Sequence, residues 1–130
     1  ALRSAQPVRQ TLMAGITLYG IPGCDTVKRA RAWLSGQGVA YAFHDFKRAG
    51  VPAALPMWID ALGWERLLNR CGTTWRRLDD VQRAAVTDAA SAAALMHAQP
   101  SVIKRPVVQW ADDSLSVGFD ADAWALRLAR

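Results

Sequence analysis

Apolar and polar positions along this chain follow two periods, and the changes between them mark its elements. Ile16 to Tyr19 is a short apolar run that reads as a buried strand. Gly20-Ile21-Pro22-Gly23 cannot continue a regular element and turns the chain. After Cys24, the apolar residues Val27, Ala30 and Leu34 recur three and then four residues apart. Lys28, Arg29 and Arg31 fall largely off that stripe, so the pattern predicts a helix from Asp25 to Leu34. Gly36-Gln37-Gly38 is a stop signal, and Val39 to Phe46 then alternates as a second strand. Strand, helix and strand with short links form a βαβ unit, in which the two strands are parallel.

Lys47 to Pro52 reads as a loop. A helix is expected from about Pro52 to Leu62, with Leu55, Ile59 and Leu62 on one face and Pro56 tolerable only in the first turn. Gly63 ends it, and Trp64 to Leu68 reads as a short helix. Asn69 to Thr74 is a polar loop leading to a turn over Trp75 to Leu78. Asp79 to Val86 and Asp88 to Ala98 are helical, each opening on an aspartate able to cap it. Pro100 stops this helical block, expected over about residues 52–99. Val107 to Trp110 and Leu115 to Val117 then flank Asp112-Asp113-Ser114 as an antiparallel hairpin. Asp120 caps a last helix over Ala121 to Leu128. The predicted order is β-α-β, helical block, β-β-α, an α/β domain with one mixed four-stranded sheet.

Composition narrows the class. At 130 residues and 52% hydrophobic, the chain suits one domain, assigned to residues 14–130. Residues 1–13 are expected to be an unstructured extension upstream of the fold, with Met13 the natural start. They carry Arg3 and Arg9 but no apolar h-region, so they do not read as a secretory signal. The net charge of +5 comes mainly from 13 Arg, which together with 24 Ala suggests GC-rich coding. No basic stripe interleaved with aromatics is present, so direct nucleic-acid binding is not expected. Two cysteines far apart do not make a secreted disulfide framework, and no run reaches the ~18 apolar residues of a membrane helix. A cytoplasmic monomer that does not engage membranes is the expectation.

Candidate chemistry centres on Cys24, where a turn becomes a helix. Free backbone N–H groups and the positive end of the helix dipole there favour a thiolate. Lys28, one turn on, adds a cation within reach in this reading. A dithiol site would have C-x-x-C, but Val27 stands at the fourth position, so Cys24 needs a second thiol from elsewhere. Arg105, before Pro106 at the start of a strand, comes beside the first strand in this element order and could hold an oxyanion or carboxylate. His44, His97, Cys24 and Cys71 lack metal-ligand spacing, and no phosphate-binding glycine loop occurs. His44 reads as a hydrogen-bonded strand histidine, and Trp33, Trp58, Trp64 and Trp75 read as packing.

Three strings carry a resemblance. They are Tyr19-Gly20-Ile21-Pro22-Gly23-Cys24-Asp25-Thr26-Val27-Lys28-Arg29-Ala30, Gly72-Thr73-Thr74-Trp75-Arg76-Arg77-Leu78, and Ser101-Val102-Ile103-Lys104-Arg105-Pro106-Val107-Val108. In this order they resemble the ArsC/Spx/YffB family, most closely its YffB branch. The resemblance implies a thioredoxin/glutaredoxin-like core with a helical insertion and a cis peptide before Pro106. It implies Cys24 as nucleophile and Arg105 as the arginine that stabilises an oxyanion. A second family arginine falls at about Asn69, with Arg70 one position on, and a third near Gly118. Gly23, Lys28, Asn69, Arg70 and Pro106 are accordingly candidates for binding substrate or glutathione. No resident cofactor or metal is implied. Glutathione is the expected co-substrate, with glutaredoxin a further partner, and the reaction is reduction of arsenate or of a glutathione mixed disulfide. Cys71 is not expected to be required. The alternative, from the family's regulatory branch, is a non-catalytic protein that binds the RNA polymerase α-subunit.

Overall fold

The computed structural model describes residues 15–129; the expectation for residues 1–13 lies outside them. Four strands, β1 (Thr17–Gly20), β2 (Ala42–Asp45), β3 (Val107–Gln109) and β4 (Leu115–Val117), form one mixed sheet in the order β2-β1-β3-β4. β1 and β2 are parallel, with Leu18 opposite Phe43. β3 runs antiparallel to β1, with Leu18 opposite Val108 and Tyr19 opposite Val107, and β4 runs antiparallel to β3. This is the expected thioredoxin/glutaredoxin-like core. Its pairing brings the end of β1 and the start of β3 to the same end of the sheet, so Gly20 to Cys24 and Arg105-Pro106 become neighbours although far apart in sequence. The Arg105–Pro106 peptide is cis.

Side chains of successive strand residues point to opposite faces, and each face has its own core. Leu18 and Val108 face helix α1 (Asp25–Gly36) and the C-terminal helix α8 (Ala121–Leu128), where they meet Val27, Ala30, Leu34, Trp110 and Trp124. The other face carries Val107 and the partly buried Tyr19. There α3 (Leu55–Leu62), α4 (Trp64–Leu67) and α7 (Ala89–Ala98) supply Leu55, Trp58, Leu62, Leu67, Ala92 and Met96. Two shorter helices, α5 (Thr73–Arg77) and α6 (Asp80–Ala84), complete the helical segment between β2 and β3.

Several boundaries follow the sequence pattern and have visible causes. Cys24 is the extended residue before α1, and its N–H closes the turn onto the Ile21 carbonyl at 3.1 Å. Gly20 has to be a glycine because a Cβ there would come within 2.8 Å of Val27 Cγ2, so the first turn of α1 lies directly on the strand end. Pro56 lies in the first turn of α3. Asp79 and Asp88 each form a reciprocal capping box, with Gln82 and Ser91.

Other expectations are corrected. The second strand is Ala42–Asp45 rather than Val39 to Phe46, because the Asp45 side chain accepts from Lys47 N–H and starts a helical turn, α2 (Phe46–Ala49), inside the expected loop. Phe46 alternates in register with the strand, yet it leaves the sheet to pack on Trp58, ring centroids 6.2 Å apart. Helix α5 begins at Thr73, two residues before the expected turn at Trp75. Pro100 does not simply end the helical block, since Pro100–Val102 forms a 3₁₀ turn. His44 behaves as expected, donating from Nε2 to the Gly50 carbonyl at 2.7 Å while its ring packs against Tyr19 and Phe46.

Candidate active site

At the common end of β1 and β3, the half-buried Cys24 thiol stands free of any disulfide. Burial raises its pKa, but opposing contributions outweigh it. Against it, the backbone N–H groups of Val27 and Thr26 at the start of α1 and the guanidinium of Arg105 all favour the thiolate. Together they hold the thiol below its ordinary value of 9.0. The N–H groups of Thr26 and Val27 are donors that every helix leaves unpaired in its first turn. α1 thus supplies part of the stabilisation from backbone alone, at the positive end of its dipole.

The cation beside the sulfur is Arg105, not Lys28. Lys28 lies one turn into α1 but on its solvent face, exposed, and it is not among the groups that shift the Cys24 thiol. Arg105 is half-buried at the start of β3. Its Nη1 donates to the backbone carbonyls of Ser101, at 2.7 Å, and Ile103, at 3.0 Å, and so locks the side chain to the segment that bears it. Its Nε is buried without a hydrogen-bond partner among the described residues. An unsatisfied buried donor costs roughly 1–3 kcal/mol.

The remaining candidates divide. Pro106 is buried next to Arg105. Gly23 is exposed, and a side chain there would meet nothing within 4 Å, so the space before Cys24 is open to a ligand. Asn69 does not offer its side chain to the thiol: its Oδ1 accepts from Cys71 N–H at 3.1 Å, and its amide packs on Gly72. Arg70 sits across two indole rings, with its guanidinium carbon 5.6 Å from the Trp64 centroid and 5.9 Å from that of Trp75. Gly118 has φ +86° and contributes only backbone. Cys71 is exposed on the Arg70 loop, also as a free thiol. The joint hold of Trp64 and Trp75 on Arg70 escaped the sequence reading, because the three residues follow no helical or strand spacing.

A low thiol pKa fixes an alkylation profile. The rate of iodoacetamide modification at Cys24, followed in a Cys71→Ser background, is expected to rise with pH through a midpoint below the free-thiol value of about 8.5. A midpoint at or above that value would remove the case for Cys24 as a nucleophile.

Comparison with known proteins agrees with this geometry. The ArsC family profile matches residues 19–126. A protein of Haemophilus influenzae is 34% identical over 106 residues, covering 81% of this chain and 91% of its own length. A solved protein described as YffB is 49% identical, with a TM-score of 0.80 over 85% of this chain and 96% of its own. A protein from Brucella melitensis, described as arsenate reductase (ArsC) related, is 45% identical, with a TM-score of 0.68 over 89% of this chain and 96% of its own. The global transcriptional regulator Spx of Streptococcus mutans is 25% identical over 113 residues, 82% of this chain and 78% of its own. The matched span holds the activated Cys24, the cis peptide and Arg105 on one mixed sheet, and the chain belongs to the ArsC family.

Proposed function

We propose that this protein is a glutathione-dependent thiol reductase that works through Cys24 on glutathione mixed disulfides. The observation that supports this reading best is a depressed thiol facing a fixed guanidinium whose Nε is buried and unpaired. The Cys24 thiolate attacks the glutathionyl sulfur of the mixed disulfide. That S–S bond breaks, the partner sulfur leaves as a thiolate and takes a proton from solvent, and Cys24 becomes glutathionylated. A second glutathione thiolate then attacks the glutathionyl sulfur bound to Cys24. It forms glutathione disulfide and releases the Cys24 thiolate, so each turnover consumes one mixed disulfide and one free glutathione and yields the partner thiol and glutathione disulfide. Glutaredoxin is an alternative reductant for the second step.

Arsenate is the less favoured substrate. Among the described residues, Arg105 is the only arginine that affects the thiol. Asn69 is engaged in its own loop, Arg70 lies on two tryptophans, and Gly118 has no side chain to offer. One guanidinium suits a substrate of low charge better than a compact multiply charged oxyanion. The reaction needs no resident cofactor, and a reducing compartment such as the cytoplasm, with the protein as a monomer, belongs to the same reading. A second reading, a regulator that binds the RNA polymerase α-subunit, draws on the similarity to Spx, and capture of that subunit from extract would favour it.

The test is turnover of the mixed disulfide of glutathione and 2-mercaptoethanol, and of arsenate, with glutathione and with or without glutaredoxin. Turnover of the disulfide is expected in the wild type and in Cys71→Ser alike, within about twofold, since Cys71 is exposed and a near-isosteric surface change has little effect. Failure on both substrates would sink the enzyme assignment. Faster turnover of arsenate would overturn the choice of substrate, and loss of turnover in Cys71→Ser would make Cys71 a resolving thiol.

A further inference from the structure

The loop that carries Arg70 is joined to the segment that carries Arg105. Asn69 N–H donates to the Val102 carbonyl at 2.8 Å, Lys104 N–H donates to the Leu67 carbonyl at 2.7 Å, and Leu68 bridges Ile103 in antiparallel fashion. Arg105 in turn holds the carbonyls of Ser101 and Ile103. The two arginines therefore stand on adjoining, hydrogen-bonded stretches of backbone. Trp64, Trp75 and Cys24 all pack, partly buried, against the same core cluster.

The state of Arg70 is unusual for a surface arginine. Both indoles lie within the ~6 Å range of a cation–π contact. Those contacts hold the guanidinium in place without neutralising it. Among the described residues its N–H groups reach no protein acceptor, and the carboxylate contact found within 4.0 Å joins a different pair, Arg83 and Asp80. Cation–π contacts leave the five N–H donors of the guanidinium, which lie in one plane, free to hydrogen-bond. The result is an exposed planar fork, fixed in advance and still charged, in the form that accepts a carboxylate by two parallel hydrogen bonds.

We infer that Arg70, positioned by Trp64 and Trp75, reads a free carboxylate on the peptidyl thiol whose sulfur meets Cys24. This rests on the reductase reading above and adds its specificity: the preferred substrates are disulfides of small acidic peptides such as glutathione, rather than neutral disulfides. The contact is distant from the bond that breaks, so it is made equally in ground state and transition state. It therefore lowers KM and leaves kcat alone. Glutathione has two carboxylates, on its glycyl end and on its γ-glutamyl end, and the chemistry at Arg70 is the same for either.

The experiment separates binding from turnover. Cys24→Ser protein is titrated with S-methylglutathione and with two analogues, each with one carboxylate converted to the primary amide. The indole N–H signals of Trp64 and Trp75 report occupancy by NMR. One of the two amides is expected to bind about tenfold more weakly than the parent, the size of effect that follows loss of a charge-assisted hydrogen bond at a wet surface. Adding Arg70→Gln should weaken the parent to the level of that amide and abolish the difference, whereas Arg70→Lys, which keeps the charge without the planar fork, should restore only part of it. With Cys24 present, Arg70→Gln should raise KM for the glutathione mixed disulfide about tenfold at unchanged kcat. Equal binding of all three ligands, or an Arg70→Gln protein that still distinguishes acid from amide, overturns the inference even if turnover is intact. Carboxylate-selective binding without any turnover by the wild type would instead support the Arg70 site and overturn the assignment of Cys24.

Discussion

Cys24→Ser is expected to abolish mixed-disulfide turnover, a loss of at least about three orders of magnitude, while thermal unfolding stays close to wild type. The seryl hydroxyl does not ionise near neutral pH, and it cannot form the S–S intermediate on which the cycle depends. Arg105→Ala should act through the same sulfur, with a loss of roughly 10²-fold, the scale seen when a charge-stabilising donor is removed from an active site. Its accompanying signature is an upward shift of the Cys24 alkylation midpoint, because the Arg105 guanidinium favours the thiolate. Arg105 also ties down the Ser101 and Ile103 carbonyls, so the alanine variant loses some stability as well. Arg105→Lys resolves the two effects. It retains a cation, which should keep the midpoint low, but loses the planar fork, which should still reduce turnover. Wild-type turnover in Arg105→Ala, with an unmoved midpoint, would dismiss Arg105 as a catalytic group.

The largest effect on stability is expected at Trp124. This side chain is 2% exposed and forms the centre of the layer beneath α1 and α8. Its ring meets Trp110, Phe119 and Trp33 at centroid distances of 5.0, 4.8 and 5.9 Å, all near edge-on, the geometry that aromatic quadrupoles favour. Trp124→Ala removes a large apolar surface from contact with all three rings at once and leaves a cavity that such rigid neighbours close poorly. A loss of about 3–5 kcal/mol follows, which for a domain of this size lowers Tm by roughly 10–20 °C. Leu126→Ala, on the exposed side of the same helix at 69% exposure, is the matched control and should stay within about 0.5 kcal/mol of wild type. Equal unfolding midpoints for the two variants would show that the aromatic layer does not carry the stability assigned to it.

Local pattern was enough for the parts of the molecule whose causes are local. The helix after Cys24, the C-terminal helix over Ala121 to Leu128, and the caps at Asp79, Asp88 and Asp120 appear where spacing and side-chain chemistry put them. Element order, with the constraint that βαβ strands run parallel, also brings Arg105 to the Cys24 end of the sheet. A thiol at a turn-to-helix junction is legible for the same reason: unpaired first-turn N–H groups are a property of every helix.

Tertiary structure decided what depends on the direction of side chains and on competition between local and distant partners. Lys28 is a near neighbour of Cys24 in sequence, yet the stripe of Val27, Ala30 and Leu34 turns against the sheet and carries Lys28 out to solvent. Arg105 approaches the sulfur instead, because β3 pairs with β1 and its side chain is braced on Ser101 and Ile103. Phe46 fits the strand alternation, but burial against Trp58 and the Asp45 cap pull it into a helical turn. Asn69 and Arg70 are adjacent in sequence, but one serves the fold of its loop and the other is clasped between two indoles. Periodicity records which face of an element is apolar; only packing determines what that face meets, and therefore which charge arrives beside the thiol.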